Sequence, residues 1–327
     1  MALLTANRLT LLELAKRTRE NQVVAIAEIL SKTNTMLVDA PYVQANDTTS
    51  HTTTKRHYLP TGSWRKINSG VATESSQTTQ ITEGIGMLEA YSRVDSALVD
   101  MSPNGRAFRL SEDLAFIEGM SQTLATALIY STTTGYPEKF NGLATRYANL
   151  TTKGTSAVHN VHGCGSTSTT ISASVWIVQW GEDKVHLIYP RNAPNFGIQV
   201  IDDGLLTVTD SSGNPYKVYQ THFKINVGLC VRDDRSVQRI ANIMTTGSTD
   251  LWSDDVMIRA LREMPNQGAG AVIYANTTVL SQMDIDAKDK TNVYYGPPDP
   301  WGRPTMFFRG YPVRQVDALL DTESYIT

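Results

Sequence analysis

Cysteine is nearly missing: Cys164 and Cys230 are the whole complement of a 327-residue chain. A disulfide framework is thereby excluded, and reduced thiols in a cytoplasmic setting are expected. Long apolar runs are missing too. No stretch approaches the ~18 consecutive apolar residues of a membrane span. The opening MALLTANRLTLLELAKRTRE is broken by Arg8 and Glu13, so no signal-peptide core forms and an intracellular product is expected. Nor is there a basic field: Lys and Arg number 29 against 32 Asp and Glu, a net charge of −3, which leaves no footprint of a dedicated nucleic-acid binder.

Catalytic signatures are equally scarce. Gly163-Cys164-Gly165-Ser166-Thr167 lacks the lysine of a phosphate-binding loop and the third glycine of a dinucleotide loop. No G-x-S-x-G elbow and no H-E-x-x-H occurs. Asp233-Asp234 and Asp254-Asp255 are carboxylate pairs, read here as a turn and a helix start. There is no internal repeat and no coiled-coil stretch. What remains is an ordinary folded composition, long enough for two modest domains or one large one.

The most legible stretch runs from Arg106 to Leu150. Ser111 followed by Glu112 and Asp113 predicts a helix start, a side-chain cap with two acids at the positive end of the dipole. Leu114, Ile117, Leu124 and Leu128 then recur at helical spacing, with Phe116, Met120, Ala127 and Tyr130 as a second stripe. The prediction is a spine helix over 111–131, about 30 Å long, gripped from more than one side. Ser131-Thr132-Thr133-Thr134-Gly135 stops it, and Phe140-Asn141-Gly142-Leu143 leads out. Glu112, Asp113 and Glu118 admit a paired-acid reading, but cap, dipole and solvated face account for them.

Ahead of it, residues 1–45 predict two short helices, the first capped by Thr10, the second carrying Val23, Val24, Ile26, Ala27, Ile29 and Leu30 and closed by Asn34 and Pro41. Residues 46–86 change character: Thr and Ser dominate and apolar residues are few. Thr-rich alternation with a turn signal at Asn68-Ser69-Gly70 predicts a long two-stranded hairpin. Arms of roughly 15 residues would reach about 50 Å. Such a ribbon is not stable alone in water and needs a surface to lie on. Tyr58 and Trp64, with the basic residues Lys55, Arg56, Arg65 and Lys66, are the residue types that anchor interfaces, so these six are the candidate intersubunit contacts. Residues 84–100 predict a returning strand or strand pair.

From Thr152 the period shifts to two. Ile171–Trp180, Val185–Tyr189, Val218–Val227 and Gly228–Val231 predict strands, with turns at Asp202-Asp203-Gly204 and Asp210–Pro215. Ser253 predicts a cap for a helix over 254–264, Ala271–Tyr274 a buried strand, and Thr277 or Thr278 a cap for a helix reaching Lys288. His159-Asn160-Val161-His162-Gly163-Cys164 is the one metal-like cluster. His159, His162 and Cys164 could ligate zinc with Cys230 or His222 as a distant fourth, but the spacing fits no common template, and a polar loop without metal or cofactor is the expectation.

Several phrases occur in one order: the spine helix with Phe140-x-Gly142-Leu143; Leu59-Pro60 with Trp64-Arg65-x-Ile67-Asn68-x-Gly70; Tyr189-Pro190-Arg191; Arg239-Ile240-Ala241-Asn242; Tyr274-Ala275-Asn276; and the tail from Met306 to Leu319. Together they resemble the major capsid proteins of tailed phages, whose shell fold is shared with herpesvirus capsids and encapsulins. The resemblance implies an α+β fold: a peripheral domain with the spine helix and long β-strands, an axial domain with a central β-sheet flanked by helices, an N-terminal arm and an extended β-hairpin loop. Carried onto this chain, it implies an arm at 1–45, the extended loop at 46–86 overlapping an adjacent subunit, and a peripheral domain at 87–150. A mainly axial domain at 151–295 and C-terminal strands at 296–327 follow. The implied function is structural: a non-enzymatic coat protein that self-assembles into hexamers and pentamers of an icosahedral shell around the phage genome. Its implied partners are itself, a separate scaffolding protein, a portal, a decoration protein and non-specifically held double-stranded DNA, with no membrane. The implied location is the virion, with assembly in the host cytoplasm. An encapsulin-like compartment and a soluble enzyme using His159, His162 and Cys164 are the alternatives.

Overall fold

The computed structural model describes residues 18–19, 22–23, 32, 34–151, 159–165, 171–193, 197–247, 249–288 and 306–327. At the start, β1 (Thr18–Arg19) pairs antiparallel with β2 (Gln22–Val23). Val23 is therefore in a strand, not the predicted helix, and the remainder of both expected arm helices lies outside the described residues. Next come the short helix α1 (Met36–Asp39) and β3 (Tyr42–Gln44).

The hairpin strands β4 (Ser50–Tyr58) and β5 (Gln77–Gly84) pair antiparallel, with a register shift between Arg56 and Tyr58. They have 9 and 8 residues, shorter than predicted, and 59–76 lacks helix or strand. The polar Thr-rich arms have no second face to bury, so pairing stops where the base of the ribbon leaves the body. β6 (Gly86–Asp95) returns as expected, but Ser96–Met101 is a helix, α2, because Asp95 caps the Ala97 N–H at 2.9 Å and starts one.

The long helix α3 spans Gly105–Tyr130, 26 residues and about 39 Å. It starts six residues before the expected cap. Asn104 is the N-cap, its Oδ1 accepting from Ala107 N at 3.1 Å, and Ser111 lies inside, donating to the Phe108 carbonyl at 2.8 Å. Ser131 ends the helix as predicted. Burial is uneven: Met120, Leu124, Leu128 and Ile129 are in the core, whereas Leu110 and Leu114 are exposed. The exit loop passes so close that a Cβ on Gly142 would lie 2.7 Å from the Ile129 carbonyl. This close approach explains the glycine of the Phe-x-Gly-Leu phrase. The short helix α4 (Leu143–Arg146) follows.

Two sheets carry the rest. The strands are β7 (Val161–Gly163), β8 (Ser172–Gln179), β9 (Val185–Tyr189), β10 (Gln199–Thr209), β11 (Pro215–Val231) and β12 (Val237–Met244). After α5 (Asp254–Glu263) come β13 (Ala271–Ala275), α6 (Thr277–Lys288), β14 (Met306–Phe308) and β15 (Tyr311–Gln315). Three expectations change here. Asp202–Gly204 is no turn but a bulge inside β10, with Gly204 at φ +74° and its N–H held by Asp202. The two strands expected over 218–231 are one, β11, whose first part pairs with β10 and β6 and whose last four residues pair with β9. The cap of α6 is Asn276, whose Oδ1 accepts from Val279 N at 2.9 Å, so neither Thr277 nor Thr278 is needed.

The six-stranded sheet runs β14-β15-β13-β8-β12-β7, and β8 is buried throughout. Its side chains alternate between two cores. Trp176 and Val178 join α3, Phe223, Leu187 and Leu229 on one side; Ala173, Val175 and Ile177 meet Met257, Ala260 and Leu261 of α5 on the other. A strand covered on both faces reads as a continuous apolar run. The tail is stitched into the first core. Arg239 donates to Glu323 Oε2 at 2.9 Å, to the Tyr147 carbonyl at 2.8 Å and to Ser174 Oγ at 3.1 Å. Glu323 also accepts from Tyr130 OH and Ser174 Oγ. The two ionic side chains are only 5% and 6% exposed.

Candidate assembly surface

The base of the hairpin is fastened to its own subunit at two points. Glu83 of β5, 6% exposed, receives a fork of hydrogen bonds from Arg146 of α4 at 2.6 and 2.7 Å, and Arg146 also donates to the carbonyls of Asn141 and Leu229. A bidentate guanidinium–carboxylate pair fixes orientation as well as distance. On the other strand Lys55 Nζ lies 3.0 Å from Asp234 Oδ1. Where β11 passes this base, a Cβ on Gly228 would lie 2.5 Å from the Gly84 carbonyl, so the glycine lets the two backbones approach.

Beyond this base the ribbon is alone. Every residue from 56 to 80 is exposed. Within it the contacts are local and polar: His57 Nε2 with Gln77 Oε1 at 3.2 Å, and Glu74 accepting from the N–H groups of Thr61 and Gly62 at 2.9 and 3.2 Å. The tip turns at Asn68, φ 64°, where Ser69 N donates to the Lys66 carbonyl. Around that turn stand apolar side chains that touch no core: Leu59 is 66% exposed, Ile67 92% and Trp64 104%.

Of the six candidate contacts, Trp64, Arg65 and Lys66 share the exposed tip, Tyr58 ends β4 at 43% exposure, and Arg56 is exposed beside it. Lys55 is turned to Asp234 of its own chain. The Glu83–Arg146 clamp went unnoticed in the sequence; a lone Glu near the end of a Thr-rich strand was its only signal. A second exposed apolar strip was also missed, on β10, where Val200, Ile201 and Leu205 are each roughly half exposed.

The metal-like cluster of the sequence, His159, His162 and Cys164, is only partly brought together. His159 and His162 do meet, ring centroids 4.3 Å apart, but their third neighbour is Glu263 of α5, whose Oε2 lies 2.5 Å from His159 Nδ1. They line a cleft of about 250 Å³. His162 Nε2 donates to Gln238 at 2.8 Å, and burial holds this imidazole below its usual range. Cys164 packs instead against the second core, and burial pushes its thiol up to about 11. His222 stacks on Tyr91 beside Glu89. The acids of the helix are also occupied: Thr221 donates to Asp113, and Gln122 to Glu118.

A long helix packed across a five-stranded sheet, a two-sided sheet behind it and a hairpin projecting from both define the tailed-phage capsid fold. A chain of bacteriophage Epsilon15 matches with 33% identity and a TM-score of 0.76, covering 100% of this chain and 99% of that one. The capsid of bacteriophage JBD30 matches in fold, with a TM-score of 0.52 at 9% identity over 90% of this chain and 95% of that one. No curated protein sequence matches. Residues 18–327 match the family described as Major capsid protein GP7, and the chain belongs to that family. It is a shell-forming phage coat protein, which sets aside the encapsulin and soluble-enzyme alternatives as identities.

Proposed function

We propose that this coat protein forms hexameric and pentameric capsomers of an icosahedral shell around the phage genome, and that the hairpin tip clips each subunit to its neighbour. The observation carrying this is Trp64. An indole wholly in water on a ribbon fastened only at its base is an unfilled contact, since exposed apolar clusters of this kind mark interaction sites. Ile67 and Leu59 extend the apolar contact, and Arg65 and Lys66 supply charge for an acidic or carbonyl-rich partner face. Tyr58 and Arg56 border it, while Lys55 holds the base.

On this reading residues 1–45 act as an arm, 46–86 as the overlapping loop, 87–150 as the peripheral domain, 151–295 as mainly the axial domain and 296–327 as returning strands. A separate scaffolding protein guides assembly in the host cytoplasm, with a portal and a decoration protein added to the shell. With a net charge of −3, packaged double-stranded DNA is held only by weak, sequence-blind contacts. The test replaces residues 59–76 by a two-residue turn, leaving Lys55 and Glu83 in place. Free subunits should keep their far-ultraviolet circular dichroism and melting temperature, and electron microscopy should show no closed shells. Intact shells from this variant would overturn the proposal.

A further inference from the structure

Beneath the hairpin base three potential ligands converge that take no part in the tip. Cys230 of β11 and His186 of β9 are direct cross-strand partners, and the His51 ring of β4 sits edge-on to His186 with centroids 5.8 Å apart. One ligand atom from each of the three lies within 4.8 Å of the others. Cys230 is 0% exposed and His186 1%. Neither ring nitrogen of His186 meets a partner at hydrogen-bond distance and angle, and burial holds this imidazole below its usual range, with the Gly181 backbone pulling the other way. A buried imidazole with both nitrogens unanswered calls for an explanation, and a metal ion would answer one of them.

We propose that His51, His186 and Cys230 bind a single thiophilic divalent transition-metal ion, zinc being the best match, with water in the fourth position. Tetrahedral zinc with these donors needs ligand atoms roughly 3.3–3.8 Å apart, so small side-chain rotations close the site. On binding, the Cys230 thiol gives its proton to solvent and the thiolate bonds the metal. Burial, with Glu83 beside it, pushes the free Cys230 thiol up to about 11 against the pull of Arg146, Arg232 and Lys55, so it is the metal bond that must draw the proton off. His51 would ligate through Nε2 with its proton on Nδ1, so the 3.2 Å bond from Asn46 N to Nδ1 opens. The ion would join the hairpin to β9 and β11 and set the angle at which the ribbon leaves the body. The trio of His159, His162 and Glu263 is the internal control, because its donors already hold one another or Gln238.

The test titrates the metal-free, tag-free full chain with Co(II). One equivalent should bind with thiolate-to-cobalt charge-transfer absorption and tetrahedral d–d bands, and Zn(II) should displace it. His51→Asn, at a half-buried position outside the core, should weaken binding at least about 100-fold, as loss of a ligand must match or exceed second-shell effects. His159→Gln should leave it unchanged. Should His51→Asn fail to fold, wild-type melting decides. Zinc at a hundredfold excess over Kd should raise the melting temperature by about 5 °C. No binding, cobalt absorption without the thiolate band, binding lost in His159→Gln instead, or no thermal shift would each overturn the site.

Discussion

Residues 316–327 and 59–76 both run without helix or strand, yet one is sewn into the core and the other stands in water. The tail carries a charge inward, and its own chain answers every part of it: Glu323 meets Arg239, Tyr130 and Ser174. The tip carries apolar bulk outward, and none of the described residues of its own chain covers Trp64 or Ile67. A buried carboxylate without partners would not survive folding, whereas an exposed indole is tolerable until a neighbour arrives. On the function proposed above, the difference separates what the subunit needs to fold from what it needs to assemble.

The tail should break first and hardest. Glu323→Ala leaves the Arg239 guanidinium buried without its carboxylate, and removing one member of a buried pair costs about 3–5 kcal/mol. Urea unfolding of free subunits should show that loss, with a melting temperature lower by roughly 10 °C. Shells would then fail only because subunits fail. A loss below about 1 kcal/mol would mean that the tail does not dock as described.

The same contrast explains what the sequence could disclose. Apolar period and turn chemistry are local, so β8, β9, β13, α5 and the end of α3 were legible from a few neighbouring residues. The spine's start was not, because Ser111-Glu112-Asp113 imitates a cap while the true one, Asn104, lies just past the end of α2 at Met101, a helix that the sequence predicts as strand. The continuity of β11 was hidden at Gly228, which reads as a break but is there to let the Gly84 carbonyl approach. Pairings distant in sequence, such as Arg146 with Glu83 and His159 with Glu263, leave no local trace. The exposure of Trp64 was legible because a Thr-rich ribbon offers an indole no core. Lys55 shows the limit of that argument, since its contact with Asp234, far away in sequence, leaves no local trace.

Trp64→Ala sharpens the comparison from the other side. Its side chain touches no core in the subunit, so unfolding free energy should change by less than about 0.5 kcal/mol. A Trp anchor at an interface is worth about 2 kcal/mol or more, so the concentration at which shells appear should rise at least roughly 30-fold. Light scattering of assembling subunits beside thermal melting of dilute ones measures both. Equal losses in the two would place Trp64 within the folding core.

The smallest effect lies at the boundary between the two regimes, at the base of the ribbon. Asp234 is half exposed where it meets Lys55, and pairs of this kind contribute about 0.2–1 kcal/mol. Lys55→Met and Asp234→Asn should each cost that much in urea unfolding, with the double variant no worse than either single one, and salt should erase the difference. Assembly should follow stability and nothing more, because the Arg146–Glu83 clamp still aims the hairpin. If Lys55→Met instead abolished shells while leaving subunit stability intact, Lys55 would exchange Asp234 for a neighbouring subunit on assembly, and the boundary between folding and assembling residues would move to the foot of β4.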